Sequence, residues 1–261
     1  MKLGVNIDHI AVLREARKIA DPNPLDAISI VKRANAEQIT IHLREDRRHI
    51  NDIDAKNIVK LSSIPINLEC ALSNDIIDIV CKLKPHRATI VPEKREEVTT
   101  EGGLNILGEQ KKLKKVIKRL HKNGIEISLF IDPTVENVNR AKELEVEWIE
   151  FHTGRYANIY AMLYSNLGRT PHSIKELEEV SRDELKIMLQ KELEALTLLS
   201  SMARDLKLKV ASGHGLNYQN VVDIAKISTI DELNIGQSII ARSIWVGLER
   251  AILEMRELIK R

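Results

Sequence analysis

Of the eight histidines in the chain, His9, His42, His152 and His214 fall at the ends of short aliphatic runs, and His49 follows the second run by a few residues. The same ends carry carboxylates, amides and an arginine: Asn6 and Asp8 beside His9, Arg44 beside His42, then Glu69, Glu93, Asp132 and Glu150. A seventh run closes on Ser212-Gly213-His214-Gly215. An imidazole exchanges protons near neutral pH, and burial tunes a carboxylate such as Glu69 into the same range. Gathered in one place, these side chains suit a reaction with several proton transfers. Residues two apart on a strand share a face, which pairs Asn6 with Asp8, His42 with Arg44, Asn67 with Glu69, and Glu150 with His152. One histidine alone is as well explained by backbone hydrogen bonds; the recurrence at run after run is what argues for a site.

Anion-binding features accompany these residues. In the loop from Leu43 to His49, Arg44 and His49 are placed to hold a phosphate, because a guanidinium matches phosphate geometry with paired hydrogen bonds. Ser212-Gly213-His214-Gly215 and Asn234-Ile235-Gly236-Gln237-Ser238 offer backbone N–H groups for a second anion. Thr99-Thr100-Glu101-Gly102-Gly103 is a third candidate, or a tight turn. Two phosphate sites imply two phosphorylated groups. The chain has no G-x-x-x-x-G-K-[ST], H-E-x-x-H or G-x-S-x-G motif. Histidine and carboxylate at strand ends also leave zinc or manganese open on the residues alone.

The elements that must position these residues follow from periodicity. Eight runs rich in β-branched and aliphatic residues are Lys2–His9, Gln38–Arg44, Pro65–Ala71, Arg87–Glu93, Glu126–Asp132, Trp148–Gly154, Lys209–Gly215 and Glu232–Ser238. Each is followed by a segment of helical period. Eight such repeats predict an α/β fold of the (β/α)8 TIM barrel class, with its site at the carboxyl ends of the strands. An open doubly wound sheet is the alternative, but no G-x-G-x-x-G turn follows the first strand. Asn23 before Pro24, Asp132 before Pro133 and Thr170 before Pro171 are expected helix starts, and Ser181 with Glu184 a capping box. Ile240, Ile244, Leu248, Ala251, Met255 and Leu258 predict one last helix. The connection from the sixth strand to the seventh is enlarged, with a helical excursion over 155–181 inside a single domain spanning 1–261.

Composition excludes several classes. Forty Lys and Arg against 38 Asp and Glu leave a formal charge of +2, and aromatics are 3%, which argues against nucleic acid as a partner. Arg242 interrupts the most apolar stretch, Ile239–Leu248, so no membrane span is expected. The N-terminus runs straight into a strand pattern, giving a cytoplasmic expectation. Cys70 and Cys81 are expected as core thiols.

The sequence resembles the pyridoxine 5′-phosphate synthase family over nearly its whole length. The resemblance is carried by Gly4-Val5-Asn6-Ile7-Asp8-His9-Ile10, by the segment from His42 to Ile50, and by Val91-Pro92-Glu93-Lys94-Arg95. Glu97-Val98-Thr99-Thr100-Glu101-Gly102-Gly103, His152-Thr153-Gly154 and Gly213-His214-Gly215-Leu216 complete it. It implies a (β/α)8 barrel, usually a homo-octamer, that condenses 3-amino-2-oxopropyl phosphate with 1-deoxy-D-xylulose 5-phosphate and releases pyridoxine 5′-phosphate, phosphate and water. It implies no metal and no organic cofactor. Carried over by motif, His42 and Glu69 are proton acceptors, His214 the proton donor and Glu150 a transition-state stabiliser. Asp8, His9, Arg44, His49 and Thr99 contact the deoxyxylulose phosphate; Asn6, Arg17, Gly215, Gly236 and Gln237 hold the other substrate. The chain departs from the family at the long 155–181 excursion and at Gln237, where histidine is common. Rival readings are a metal-dependent phosphosugar epimerase or lyase, and a barrel that binds a phosphorylated metabolite without turnover.

Overall fold

Strands β1 (Lys2–Asn6), β2 (Gln38–Leu43), β3 (Ile66–Ala71), β4 (Arg87–Val91), β5 (Glu126–Ile131), β6 (Trp148–His152), β7 (Lys209–Gly213) and β8 (Glu232–Ile235) pair in parallel in chain order. Pairing of β8 with β1 closes the barrel. The structure, a computed structural model, describes residues 1–93 and 102–260. Helices α1 (Asp8–Arg17), α2 (Ala27–Arg33), α3 (Asp52–Leu61), α4 (Asn74–Leu83), α5 (Ile106–Lys122) and α6 (Val135–Glu143) fill the first five crossovers. Helices α7 (Gly154–Tyr164), α8 (Arg182–Asp205), α9 (Val221–Ala225), α10 (Gln237–Val246) and α11 (Leu248–Ile259) complete the outer ring.

Alternation along the strands sorts the residues into two shells. Leu3, Val5, Ile39, Ile41, Leu68, Ile90, Leu129, Phe151 and Leu233 are fully buried in the main apolar core. Their neighbours in sequence fill the barrel, and these are polar: Gln38, Thr40, Asn67, Arg87, Thr89, Ser128, Glu150, Glu232 and Asn234. Buried polar groups must bond one another. Accordingly Arg87 donates to Gln38 Oε1 at 2.9 Å and to Asn67 Oδ1 at 3.3 Å, pairs with Glu232, and lies 4.3 Å over the ring of Trp148. Arg87→Met strands the Glu232 carboxylate and is expected to cost about 3–5 kcal/mol of stability. Thermal denaturation checks this: the double variant Arg87→Met/Glu232→Leu should recover most of the loss, and a fully additive double variant would contradict the pairing.

Several expected boundaries move. Asp8 and His9 open α1 instead of ending β1, and every other run except the third sheds residues at its carboxyl end. Asn23 does cap a single 3-10 turn, accepting from the Leu25 amide, and Ser181 and Glu184 form the capping box of α8. Asp132 is not a cap: its carboxylate is bonded to His152, and Thr134 caps α6. No helix starts at Thr170, whose hydroxyl accepts from the His172 amide in a local turn. The expected single last helix is two, because Gly247 stands at φ +80°, where the helical path cannot continue. In the β6–β7 connection, Ile159, Leu163, Leu177 and Leu185 form a small second core between α7, α8 and the 3-10 turn Lys175–Leu177. Among the described residues no helix is long and apolar enough to cross a membrane.

Candidate active site

The carboxyl ends of the strands open on a cavity of about 570 Å³. Asn6, Asp8, His9, His42, Arg44, His49, Glu69, Glu150, His214, Gly215, Gly236 and Gln237 all line it. Two further residues are named with them. Thr99, like Lys94, lies outside the described residues, and Arg17 sits exposed on the last turn of α1, apart from the cavity wall.

His42, at the end of β2, stands between two carboxylates. Its Nε2 is 2.8 Å from Glu93 Oε1, and its Nδ1 is 3.8 Å from Glu69 Oε2. Asp8 Oδ1 accepts the His42 amide at 2.9 Å, and Asn6 donates to Asp8 Oδ2 at 2.9 Å. Burial pushes the Asp8 carboxyl up to about 6 despite the His42 and Arg44 charges. Burial also raises Glu69 well above the ordinary carboxylate range, and the charges of Glu150 and Asp8 push the same way. Glu150 is pushed up to about 7 by burial, against Arg87 and a 2.8 Å hydrogen bond from Asn234 Nδ2. Burial works to raise Glu93 too, but hydrogen bonds from His42 and from the Glu45 amide hold it below its usual value. The result is one low-lying carboxylate partnering an imidazole, two carboxyls, Asp8 and Glu150, whose protons move near neutral pH, and Glu69 raised beside them.

The second loop is organised from α1. Arg14, buried, donates through Nη1 and Nη2 to both oxygens of Asp54 at 2.9 and 2.8 Å, and Nη2 also reaches the His49 carbonyl at 2.9 Å. His49 Nδ1 accepts the Ile50 amide at 2.8 Å, which leaves Nε2 as the donor. Burial, then the neighbouring His42 and Arg44, push His49 down to about 3, so it offers an anion a neutral hydrogen bond while Arg44 supplies the charge. Gln237 and Gly236 stand at the start of α10, whose N–H groups also face the cavity end.

Sequence reasoning named Glu93, Asp132 and His152 as strand-end residues, and Asn234 within an anion-binding run, without choosing them for the site, and it overlooked Phe130 and Arg14. Glu93 partners His42; Asp132 Oδ1 lies 3.3 Å from His152 Nδ1, and that hydrogen bond lowers Asp132. Phe130 and Asn234 share the cavity wall. For Asn234 the available signal was its inward position two residues before Gly236.

The family model described as pyridoxal phosphate biosynthesis protein PdxJ matches residues 3–261. A relative from Aliarcobacter butzleri, named pyridoxine 5′-phosphate synthase, is 68% identical over 260 residues, covering 100% of this chain and 99% of its own. One of the same name from Sulfurovum sp. is 66% identical over 259 residues, covering 99% and 100%. These alignments run end to end, so the 155–181 segment has its counterpart in both relatives. Among solved structures, a thiamine phosphate pyrophosphorylase from Pyrococcus furiosus superposes with a TM-score of 0.58 at 11% identity, over 99% of this chain and 95% of its own. The tryptophan synthase A-subunit from the same organism gives 0.58 at 12%, over 100% and 98%. At such identities these two likenesses speak to the barrel fold alone.

Proposed function

The chain belongs to the PdxJ family of pyridoxal phosphate biosynthesis proteins, and from that premise we propose how its site performs the reaction. The reaction is the condensation of 3-amino-2-oxopropyl phosphate with 1-deoxy-D-xylulose 5-phosphate to pyridoxine 5′-phosphate, with loss of phosphate and water. The substrate brings its own amine for imine formation, so no lysine need act as nucleophile. Dehydration and ring closure then require acid and base groups at several carbons. His42 and Glu69 accept protons, His214 donates one, and Glu150 stabilises charge in the transition state. Asp8, His9, Arg44, His49 and Thr99 hold the deoxyxylulose phosphate. Asn6, Gly215, Gly236 and Gln237 hold the amino-oxopropyl phosphate; Arg17, exposed and apart from the cavity wall, is left out of this set.

The observation that carries this reading is His42, hydrogen-bonded to Glu93 and 3.8 Å from Glu69, in a cavity shared with His214, Glu150, Arg44, His49, Gly236 and Gln237. Purified protein stripped of metals, incubated with both substrates, should yield pyridoxine 5′-phosphate by mass with matched phosphate release. Binding without product, even after metal is added back, would favour the phosphosugar or non-catalytic reading instead. We place the enzyme in the cytoplasm as a homo-octamer; Trp245, 83% exposed beside exposed Ile244 at the end of α10, supports a contact between copies but not their number. Sedimentation equilibrium decides the assembly, and a monomer would refute it.

Gln237 donates a hydrogen bond to phosphate but carries no charge. In Gln237→His the added imidazole gains charge below about pH 6.5. The KM ratio of wild type to variant for the amino-oxopropyl phosphate should therefore rise severalfold from pH 8 to pH 6. A ratio flat in pH would remove Gln237 from that phosphate.

A further inference from the structure

His214 stands where the chain leaves β7 with φ at +78°, a conformation a non-glycine residue keeps only when its surroundings enforce it. The enforcement comes from consecutive residues at the end of β6. Thr153 Oγ1 lies 2.6 Å from the Gly213 carbonyl and 2.7 Å from that of His214, and the Thr153 amide donates to Gly213 at 2.9 Å. The ring of His152 meets the ring of His214 edge to face, centroids 4.9 Å apart at 61°, with Phe130 5.1 Å from His152. Gly154 makes the room: a Cβ there would stand 2.5 Å from His152 Nε2 and 3.2 Å from His214 Cδ2.

His152 is fixed from its other side. Its Nδ1 is 3.3 Å from Asp132 Oδ1, and its Nε2 is buried with no hydrogen-bond partner among the described residues. A phenyl ring would fill this space without leaving a buried nitrogen unsatisfied, an arrangement proteins generally avoid. What the imidazole adds is the tie to Asp132, which sets the plane of the ring against which His214 rests.

We propose that His152, oriented by Asp132, is a positioning residue that holds the ring of His214 aimed into the cavity. The inference rests on the reading of His214 as proton donor. Thr153 sets the backbone of that residue and His152 its side chain, so the end of β6 serves the chemistry of β7. Misplacing a reacting group by about 1 Å can cost about a hundredfold in rate.

The test combines kinetics with a view of His214 that does not depend on turnover. His152→Phe and His152→Ala are made alone and with His214→Ala, and kcat and both KM values are measured. Proton–carbon spectra of protein labelled at histidine Cε1 follow His214 directly. The Phe variant should lose about tenfold and the Ala variant about a hundredfold in kcat, with KM within about twofold. Neither should lower the residual rate of His214→Ala further, and the His214 resonance should shift or broaden in both. An unmoved resonance, a loss confined to KM, or losses that multiply with His214→Ala overturn the inference. If the resonance moves but His214→Ala leaves kcat intact, the positioning stands and the proton-donor reading falls. The Phe variant, close in volume to the native ring, keeps the test open should the Ala variant not fold.

Discussion

Glu69→Gln is expected to lower kcat by about 10²–10⁴-fold while KM for each substrate changes only a few-fold. Glutamine keeps the shape of the side chain and its place at the end of β3, so what is lost is the ability to take a proton. That ability is unusual here. Burial raises the Glu69 carboxyl, and the charges of Glu150 and Asp8 add to the shift. A carboxylate raised in this way is a stronger base, better matched to a carbon-bound proton than a solvent-exposed glutamate. His42 Nδ1 lies 3.8 Å from Glu69 Oε2, so the two groups share one reacting region and their losses should not add. Single-turnover rates of Glu69→Gln, His42→Gln and the double variant measure this, with circular dichroism showing that the barrel is intact. A loss below about tenfold in Glu69→Gln would move the base elsewhere.

The barrel was legible because its strands keep strict alternation: apolar residues such as Ile39, Ile41 and Leu43 turn to the helices while Gln38, Thr40 and His42 turn inward. What alternation does not mark is where pairing stops. β6 ends at His152 although the strand-like run continues to Gly154, because Thr153 turns its amide and hydroxyl to the carbonyls of β7 and α7 begins at Gly154. The same happens at Asp8, whose carboxylate is engaged by the His42 amide. Strand ends are hard to place here because their residues are committed to the site. Proline was a poor guide for a related reason. Asp132 had the position of a cap, but His152 claims its carboxylate, and Thr134 takes over.

The site was legible as a collection and not as a set of partners. Residue type and position at or near a strand end picked out twelve residues that line the cavity, yet nothing in the spacing of Glu93 says that it reaches His42, which is 51 residues away in sequence. Arg14 is a clearer case. On a helical segment it reads as a surface charge, and only the approach of α1 to the N-terminus of α3 makes it the group that holds both Asp54 and the carbonyl of His49. Partnership depends on distances across the barrel mouth, which periodicity along the chain does not encode.

Glu150→Gln should act in opposite directions on activity and on stability. The side chain is 2% exposed, and its carboxyl is pushed up to about 7 by burial. In the unfolded chain the same group titrates near 4.5. Below that pH both states hold the proton and the carboxyl contributes no pH dependence. As pH rises from 4.5 to 7 the unfolded chain releases its proton while the folded protein retains it, so folding is progressively disfavoured. The penalty is complete just above pH 7 and is of the order of 3 kcal/mol. Glutamine does not titrate, so the Tm of Glu150→Gln relative to wild type should climb between pH 5 and pH 8. The slope is diagnostic where the offset is not, because the new amide must find its own partner beside Asn234. Turnover should meanwhile fall by about 10²–10³-fold if the ionised carboxylate stabilises charge in the transition state. A Tm difference flat in pH would mean that the barrel does not hold this carboxyl near neutrality; a flat difference with lost turnover would leave its charge a role in the reaction without the stability cost. The expected pattern ties the two effects to one cause, since the scarcity of water that makes this carboxylate costly to ionise also makes its charge effective on the substrate.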